Sequence, residues 1–432
     1  SPNLDRLASE GRLFLDHYVQ VPTCGASRYA LLTSRRPSTA ASLSNDAARQ
    51  FSQVETKQPQ SFPELFRRNG YTTVCIGKIS HQPDGRVFTY EGEGDGHVEV
   101  PFAWTELATP YGKWEYGHGA FFGYANGVGR TFHPHPTPFE HAEVPDTGYP
   151  DGMIAEAAMQ KLRELKDKPF LLAVGFYKPH LPFNAPKMYW DLYEGRQIDL
   201  SPNPQQPTGI NPGSWHDSSE MFRYAHADGR NVTDAYAREL RRAYYACISC
   251  VDAQIGKVLA ELERLGLAEN TVVVVWGDHG WHLGDHGIWG KHTTFDRSLR
   301  STLIVRVPEM RSPGTPAAGR VEAIDLYPTL ADLCGLEAPT GLDGVSMRPL
   351  LEDPAHPGKE AAFSYWKGRT TVRTDRWRLV RYNEVTDGEP AIELFDHESD
   401  PNETRNVAEA HPEVVASLVG RIEATRSGKS AF

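Results

Sequence analysis

The sequence predicts an α/β fold, a large, mostly parallel sheet sandwiched by helices and followed by a small antiparallel sheet-plus-helix subdomain. Three apolar, β-branched runs carry the first part: Tyr71–Ile76, Phe170–Phe176 and Thr271–Trp276. The second of these is unbroken over its length, as a strand covered on both faces of a parallel sheet is. Amphipathic helical patterns separate the runs, and strands alternating with helices favour a parallel sheet with helices on both faces. After about Leu350 the pattern changes to shorter strands with charged faces, which is read as a separate unit.

In chain order, Asn3–Glu10 reads as a helix with Leu4, Leu7 and Ala8 inward, and Phe14–Val21 as a strand-like approach to Cys24. Cys24-Gly-Ala-Ser-Arg28 then opens a helical pattern through Leu31 and Leu32. Ser61-Phe-Pro-Glu64 has capping-box spacing and starts a helix through Asn69, stopped by Gly70. Residues 82–150 are rich in Gly, Pro, His and aromatics and show no lasting period. Long irregular stretches of this kind are usually functional loops. Their aromatics (Trp104, Tyr111, Trp114, Tyr116, Phe121, Phe122, Tyr124) suit either stacking on sugar rings or a satellite core. Gly152–Lys166 places Ile154, Ala158, Leu162 and Leu165 on one helix face. A second irregular stretch, 199–231, precedes a long helix over Asp234–Leu265 that Gly266 closes. Leu303–Val307 reads as one more strand. A boundary near Glu352 divides the chain into 1–352 and 353–432. In the second part Phe363–Tyr382 and Ala391–Phe395 read as antiparallel strands and Pro412–Arg426 as a closing helix.

Composition bounds the function classes. The chain has 432 residues, 39% hydrophobic and 10% aromatic, enough for a large core. Its net charge of −11 excludes a general binder of nucleic acid or anionic membranes. An anionic substrate therefore requires a local positive pocket. No apolar run reaches membrane-spanning length and no signal peptide is visible. Of the five cysteines, Cys247-x-x-Cys250 lacks the partner pair of a zinc site and lies inside a helical pattern, which makes it core.

Each apolar run is followed within a few residues by charged or imidazole groups: Lys78 and His81, Lys178 and His180, Asp278 and His279. The carboxyl ends of strands in an open parallel sheet border one crevice, where ligands bind. Three separate elements thus aim polar groups at one space. Cys24 starts a helix, where unpaired N–H groups and the helix dipole favour anions and lower a thiol pKa. Lysines and an arginine suit the oxygens of a sulfate or phosphate group, and histidines suit proton transfer to and from the reacting oxygens.

Pro2-Asn-Leu-Asp5-Arg-Leu7-Ala8-x-x-Gly11 followed by Cys24-x-Ala-x-Arg28 resembles the opening of the formylglycine-dependent sulfatases, within the alkaline-phosphatase-like superfamily. The likeness continues in Gly77-Lys-Ile-Ser-His81, Lys178-Pro-His-x-Pro-Phe183, Gly277-Asp-His-Gly280 and Trp281-His-Leu-Gly-Asp-His-Gly-Ile-Trp-Gly-Lys291. It ends in the tail element Leu394-Phe-Asp-x-x-x-Asp400-Pro-x-Glu403-x-x-Asn406. The lysine-to-histidine spacing and the Asp-His pair are those of the iduronate-2-sulfatase-like branch.

The resemblance implies an alkaline-phosphatase-like fold and hydrolysis of O-sulfate esters of a sulfated oligo- or polysaccharide. A maturation enzyme converts the family cysteine, here Cys24, to formylglycine (3-oxoalanine). Its hydrate attacks sulfur and forms a sulfated hemiacetal. One Ca2+ ion is implied, bound by residue 24, Asp278 and His279. Arg28 holds the nucleophile, Lys78 and Lys291 bind sulfate, His81 contacts the hydrate as a base, and His180 is the general acid. Lys178 and His282 are candidate substrate-binding groups. A periplasmic, extracellular or lysosome-like compartment is implied as well. The family also carries an Asp-Asp metal pair on a first strand, upstream of Pro2, so a longer natural chain is expected. Ala26 stands where the maturation signal commonly has proline, and Ser34 where it commonly has glycine. Three alternatives remain: a phosphonate or phosphate ester hydrolase of the same superfamily, a sugar-binding relative with an unconverted Cys24, and a zinc hydrolase built on His279, His282 and His286.

Overall fold

The computed structural model describes residues 1–129, 136–226, 229–386 and 389–426. The irregular stretches 82–150 and 199–231 therefore include short pieces, 130–135 and 227–228, outside the described residues. The chain opens with helix α1 (Pro2–Glu10) and the short strand β1 (Arg12–Leu13). Helix α2 (Cys24–Thr33) and helix α3 (Phe62–Arg68) follow. Strands β2 (Thr72–Gly77) and β3 (Glu106–Leu107), helix α4 (Pro150–Leu165) and strand β4 (Phe170–Gly175) come next. Then come helix α5 (Asp234–Arg264), strands β5 (Val273–Trp276) and β6 (Leu303–Arg306), and helix α6 (Leu326–Leu333).

These strands form two sheet segments. In one, β3, β2 and β4 run parallel, with Val74 opposite Leu172 and Gly77 opposite Gly175. In the other, β6 lies between β1 and β5 and is antiparallel to both. Leu162 of α4 and Leu262 of α5 pack with Leu172 and Val273. Leu7 of α1 and Leu259 of α5 cover Ile304. The opposite side is closed by Leu31 and Leu32 of α2, Leu65 and Phe66 of α3 and Leu326 and Leu330 of α6, together with Leu303 and Val305. Helices thus cover both faces, which is the arrangement that the continuous apolar strands require.

Two local expectations are corrected. Ser61 does precede α3, but its hydroxyl caps nothing; Glu64 instead accepts from the backbone N–H of Gln60 at 2.7 Å and pairs with Arg68. The residues of β4 and β5 are also less covered than an internal strand predicts, since Phe170–Val174 and Val273–Trp276 are half-buried. Among the described residues each of these two strands pairs on one side only. The expected core reading of Cys247 and Cys250 is met: both lie buried among Leu181, Phe183, Trp190 and Leu240.

The tail sheet has four antiparallel strands, β7 (Ala362–Trp366), β8 (Arg369–Arg373), β9 (Trp377–Thr386) and β10 (Glu389–Asp396). Helix α7 (Pro412–Arg426) packs Leu418 and Ile422 on Phe363, Leu379 and Leu394. Among the described residues no helix is long and apolar enough to cross a membrane.

The ends of β2 and β4 approach each other closely. Gly77 has φ +72°, and Lys78 N–H donates to Gly175 O at 2.9 Å. A Cβ on Gly175 would lie 2.2 Å from Lys78 O, a backbone atom that cannot yield cheaply. Gly175→Ala is therefore expected to destabilise the fold by about 2–3 kcal/mol and to displace Lys78. A lowered urea midpoint together with lost turnover checks this; an unchanged midpoint would show that the strand ends accommodate the methyl group.

Candidate active site

Cys24 is the first residue of α2, after Thr23 in extended conformation. The close packing of the first turn dictates Gly25, whose Cβ would fall 2.1 Å from Asn45 O, while its N–H donates to Asn45 Oδ1 at 3.0 Å. Ala26 is buried against Val21 and Trp366. At the other end of α2, Ser34 takes the left-handed conformation (φ 53°). Glycine tolerates that backbone best. The serine hydroxyl compensates by donating to Ile324 O at 2.7 Å and accepting from Gly344 N–H at 3.2 Å.

Arg28, one turn into α2, ties the strand ends together. Its Nε donates to Asp278 Oδ2 at 2.9 Å, and its Nη1 donates to Lys78 O and, at 3.1 Å, to Ile79 O. Ser27 Oγ donates to Asp278 O at 2.5 Å. Asp278 and His279 follow β5, and His279 Nε2 lies 3.2 Å from Cys24 Sγ. The other ring nitrogen, Nδ1, donates to Gly280 O at 2.7 Å, so Nε2 is the atom presented to residue 24. Ligand atoms of Cys24, Asp278 and His279 all lie within 4.8 Å of one another. With sulfur at position 24 this donor set is mixed; with oxygens there it becomes oxygen-rich with one imidazole. Calcium accepts oxygen donors of that kind.

Lys78 follows β2 and is buried, with its Nζ 4.2 Å from the centre of the Phe121 ring. His180 lies on the loop after β4, and its ring sits 4.7 Å from the same Phe121. That loop is built by Asp151, which accepts from the N–H groups of Tyr177 and Lys178 at 2.6 and 3.2 Å. Lys291 is delivered by a two-stranded hairpin, Trp289–Gly290 paired with His282–Leu283. Its Nζ lies 3.5 Å from His180 Nε2. His81 is partly buried, and its Nδ1 has no hydrogen-bond partner among the described residues. Lys78, His118, Arg28 and Lys291 all act on its ring electrostatically.

Two candidates have their polar atoms engaged within the protein. The Lys178 ammonium does not face a ligand, because it donates to Pro182 O at 2.7 Å and His180 O at 3.3 Å and so braces the His180 loop. His282 is fully buried; one ring nitrogen meets Asp285 O at 3.2 Å, the other Thr293 Oγ1 at 2.9 Å, and Phe295 flanks the ring. This leaves it no route to a substrate, and it removes a zinc site of His279, His282 and His286. Most of the aromatics in 104–124 prove to be core: Trp114, Phe121, Phe122 and Tyr124 are all buried.

Glu220 was not legible as a site residue. It comes from the irregular stretch 199–231 and bonds Lys291 at 2.9 Å and His180 Nε2 at 3.2 Å. Nothing in the local sequence marks it, since its partners lie 40 and 71 residues away along the chain.

The electrostatics follow from crowding Arg28, Lys78 and Lys291 into a largely buried space. Burial pushes the Cys24 thiol up, but Lys291 and Lys78 outweigh it and bring the pKa down to about 6. Burial lowers Lys78, and the neighbouring Arg28 and Lys291 act in the same direction against the pull of Cys24. Burial likewise lowers His180, and with Lys291 beside it the value falls to about 3 although Glu220 opposes this. Burial and Lys78 hold His81 well below the usual imidazole range. In His279 burial is outweighed by Asp278 and Cys24, so its pKa is raised. Arg28 and His279 hold Asp278 well below the usual carboxylate range despite burial. The result is a positive, largely desolvated hollow around residue 24, in a chain of net charge −11.

Several known proteins are similar to this chain. The sulfatase family model matches residues 1–336, and the model for the N-sulphoglucosamine sulphohydrolase C-terminal region matches 284–428. Human iduronate 2-sulfatase is 31% identical over 379 residues, covering 78% of this chain and 65% of that protein, so the chain spans about two thirds of its length. A sulfatase of Formosa agariphila is 29% identical over 464 residues, covering all of this chain and 84% of its own length. Among solved structures, a phosphonate monoester hydrolase from Silicibacter pomeroyi superposes with a TM-score of 0.77 at 22% identity, over 99% of this chain and 90% of that one. A structure solved in complex with its substrate D-glucosamine-2-N,6-O-disulfate gives 0.73 at 19% identity, over 99% and 92%. These superpositions establish the alkaline-phosphatase-like fold, and with the family match over most of its length this chain belongs to the sulfatase family.

Proposed function

We propose that the protein hydrolyses O-sulfate esters of a saccharide, in the manner of iduronate-2-sulfatase-like members of its family. The observation that carries this is the grouping of Lys78, His180 and Lys291 with the Arg28–Asp278 pair around Cys24, at the ends of three separate strands. A secretory or lysosome-like compartment belongs to the same reading.

Converted to formylglycine, residue 24 supplies an oxygen nucleophile. Residue 24, Asp278 and His279 would hold a divalent cation such as calcium, which would supply Lewis acidity. The remaining chemistry rests on the chain's own side chains. Lys78 and Lys291 neutralise the sulfate oxygens, and because they are already fixed in a desolvated hollow they need little reorganisation when charge moves. Arg28 keeps Asp278 ionised and oriented. His81, kept neutral by burial and Lys78, is able to accept a proton at the nucleophile. His180 gives a proton to the departing sugar oxygen. Its Nδ1–H donates to Leu181 O at 2.7 Å, so Nε2 is the atom available for that transfer. Since Nδ1 already carries a proton, Nε2 can hydrogen-bond the Glu220 carboxylate only as N–H. Glu220 raises the pKa of His180 but is outweighed by burial and Lys291, which hold it at about 3 in the free protein; a bound sulfate that takes up the charge of Lys291 and Lys78 would shift it toward the acid form.

The direct test is sulfate release from defined sulfated disaccharides by protein whose Cys24 peptide has the mass of formylglycine, with aryl phosphate and phosphonate esters compared in parallel. Faster turnover of the phosphorus esters than of any sulfate ester would replace this reading with that of a phosphoester or phosphonate hydrolase. Cys24→Ala is expected to abolish turnover while retaining saccharide binding; residual sulfate release would remove residue 24 as nucleophile. His180→Asn should slow sugar sulfates by roughly 100- to 1,000-fold and 4-nitrophenyl sulfate far less, because a nitrophenolate departs without protonation. Equal losses on both would exclude His180 as the acid. For Glu220→Gln, the loss of a stabilising carboxylate lowers the pKa of the acid form. The decline in sugar-sulfate turnover with rising pH should then begin at lower pH, by about one unit or more. An unmoved profile would reduce Glu220 to a counter-ion of Lys291.

A further inference from the structure

Lys291 also lines a second pocket, of about 270 Å³, whose walls do not include Cys24. Three distant segments build it: Trp215, His216 and Glu220 from the 199–231 stretch, Trp289–His292 from the lysine hairpin, and Trp366, Lys367 and Arg369 from the tail sheet. We propose that this pocket is a subsite for a second anionic group, a carboxylate or another sulfate, on the sugar residue next to the scissile ester. The inference rests on the reading of the protein as a saccharide sulfatase and adds the chemistry by which it selects its saccharide.

The charge balance favours an anion. Lys291, Lys367 and Arg369 face the pocket, against one carboxylate, Glu220, which is already engaged by Lys291 and His180. His216 is held neutral, because its Nδ1 accepts from Ser218 N–H at 3.0 Å while its Nε2 donates to Lys291 O. Arg369 is buried over the ring of Tyr382, and its Nη1 has no hydrogen-bond partner among the described residues. A buried guanidinium nitrogen without an acceptor costs free energy that an anionic ligand oxygen would offset. Lys367 is exposed and faces the Trp366 ring at 5.2 Å.

The position of these cations is fixed by the fold. Lys367-Gly368 forms the two-residue turn between β7 and β8, both with positive φ (38° and 75°). The hairpin is pinned from both sides. Trp366 stacks on His292 at 5.1 Å with an interplanar angle of 9°, and Tyr365 N–H donates to Gln20 O at 2.7 Å. The turn is thereby held against the segment that leads to Cys24. The pocket lies just under the range of small-molecule sites, about 300–1,000 Å³, which suits one sugar residue and not a chain. Because Lys291 borders both this pocket and His180, the two anionic groups recognised would lie within about one sugar of each other.

Lys367→Asn removes the charge with a residue that tolerates positive φ, and Lys367→Glu reverses it. Three sulfated disaccharides serve as probes, identical except that the neighbouring sugar carries a carboxylate, a sulfate or no charge, with 4-nitrophenyl sulfate as a small substrate. The expected result for Lys367→Glu is a KM raised about tenfold on the charged disaccharides, kcat unchanged, and no effect on the neutral disaccharide or the aryl ester. A response to the carboxylate alone or the sulfate alone identifies which group the pocket takes. Equal changes on all substrates, or none on the charged ones, would overturn the proposal. Calorimetric binding of the same disaccharides to Cys24→Ala and to Cys24→Ala/Lys367→Glu reads the pocket without turnover. Weaker binding of the charged probes alone in the double variant supports it even if no disaccharide is hydrolysed, a result that would count only against the catalytic reading; identical binding refutes it.

Discussion

The bond set of Arg28 is the constraint on which the rest of the site depends. One guanidinium joins α2 to the carboxylate after β5 and to two carbonyls after β2. Both members of the Arg28–Asp278 pair are largely buried, at 13% and 18% side-chain exposure. Removing one partner of such a pair typically costs about 3–5 kcal/mol, because the other is left as an uncompensated charge. The planar fork of arginine serves three acceptors from a single position, which a lysine cannot do. The ends of β2 and β5 are held together beside Cys24 as a consequence.

Holding them together concentrates positive charge, and the surrounding residues distribute it. Asp278 balances Arg28, Glu220 balances Lys291, and the face of Phe121 supports Lys78 through its quadrupole. The balance is incomplete, as the depressed thiol pKa of Cys24 shows. An overall negative protein therefore presents a local positive hollow, which repels anions at long range less than its net charge suggests and attracts them at close range. Burial has a second effect. It pushes the imidazoles of His81 and His180 toward their neutral forms, so that each depends on nearby charge for its protonation state. The two histidines differ in that only His180 has a carboxylate against Nε2. The proposed roles of base and acid rest on that difference.

The tail sheet participates in this site as well as packing beneath it. Its first hairpin lies against Val21 and Ala26, and its turn places Lys367 on the same pocket as Lys291. The loop carrying Glu220 closes the same side. Elements far apart along the chain thus share one border of the hollow, which is how a common scaffold can vary what it recognises without altering the strand ends.

The sequence by itself determined the alternation of apolar runs and amphipathic helices, the groups that follow each strand, and the placement of Cys24 at a helix start. These are local patterns, set by periods of two and 3.6 residues and by short motifs. It also determined that Cys247 and Cys250 belong to a core, because their spacing falls on the buried face of a long helix. Tertiary structure decided what the local pattern leaves open. Lys178 and His180 stand two residues apart, yet one ammonium turns back to hold its own loop while the other side chain meets Lys291 and Glu220. His282 sits in the same motif as Lys291 but is enclosed by Thr293 and Phe295. Glu220 and Lys367 acquire their partners only when loops and hairpins separated by many residues are packed together. Side-chain direction and long-range partners depend on which backbone atoms and rings happen to be adjacent in space, and no periodicity in one dimension encodes that.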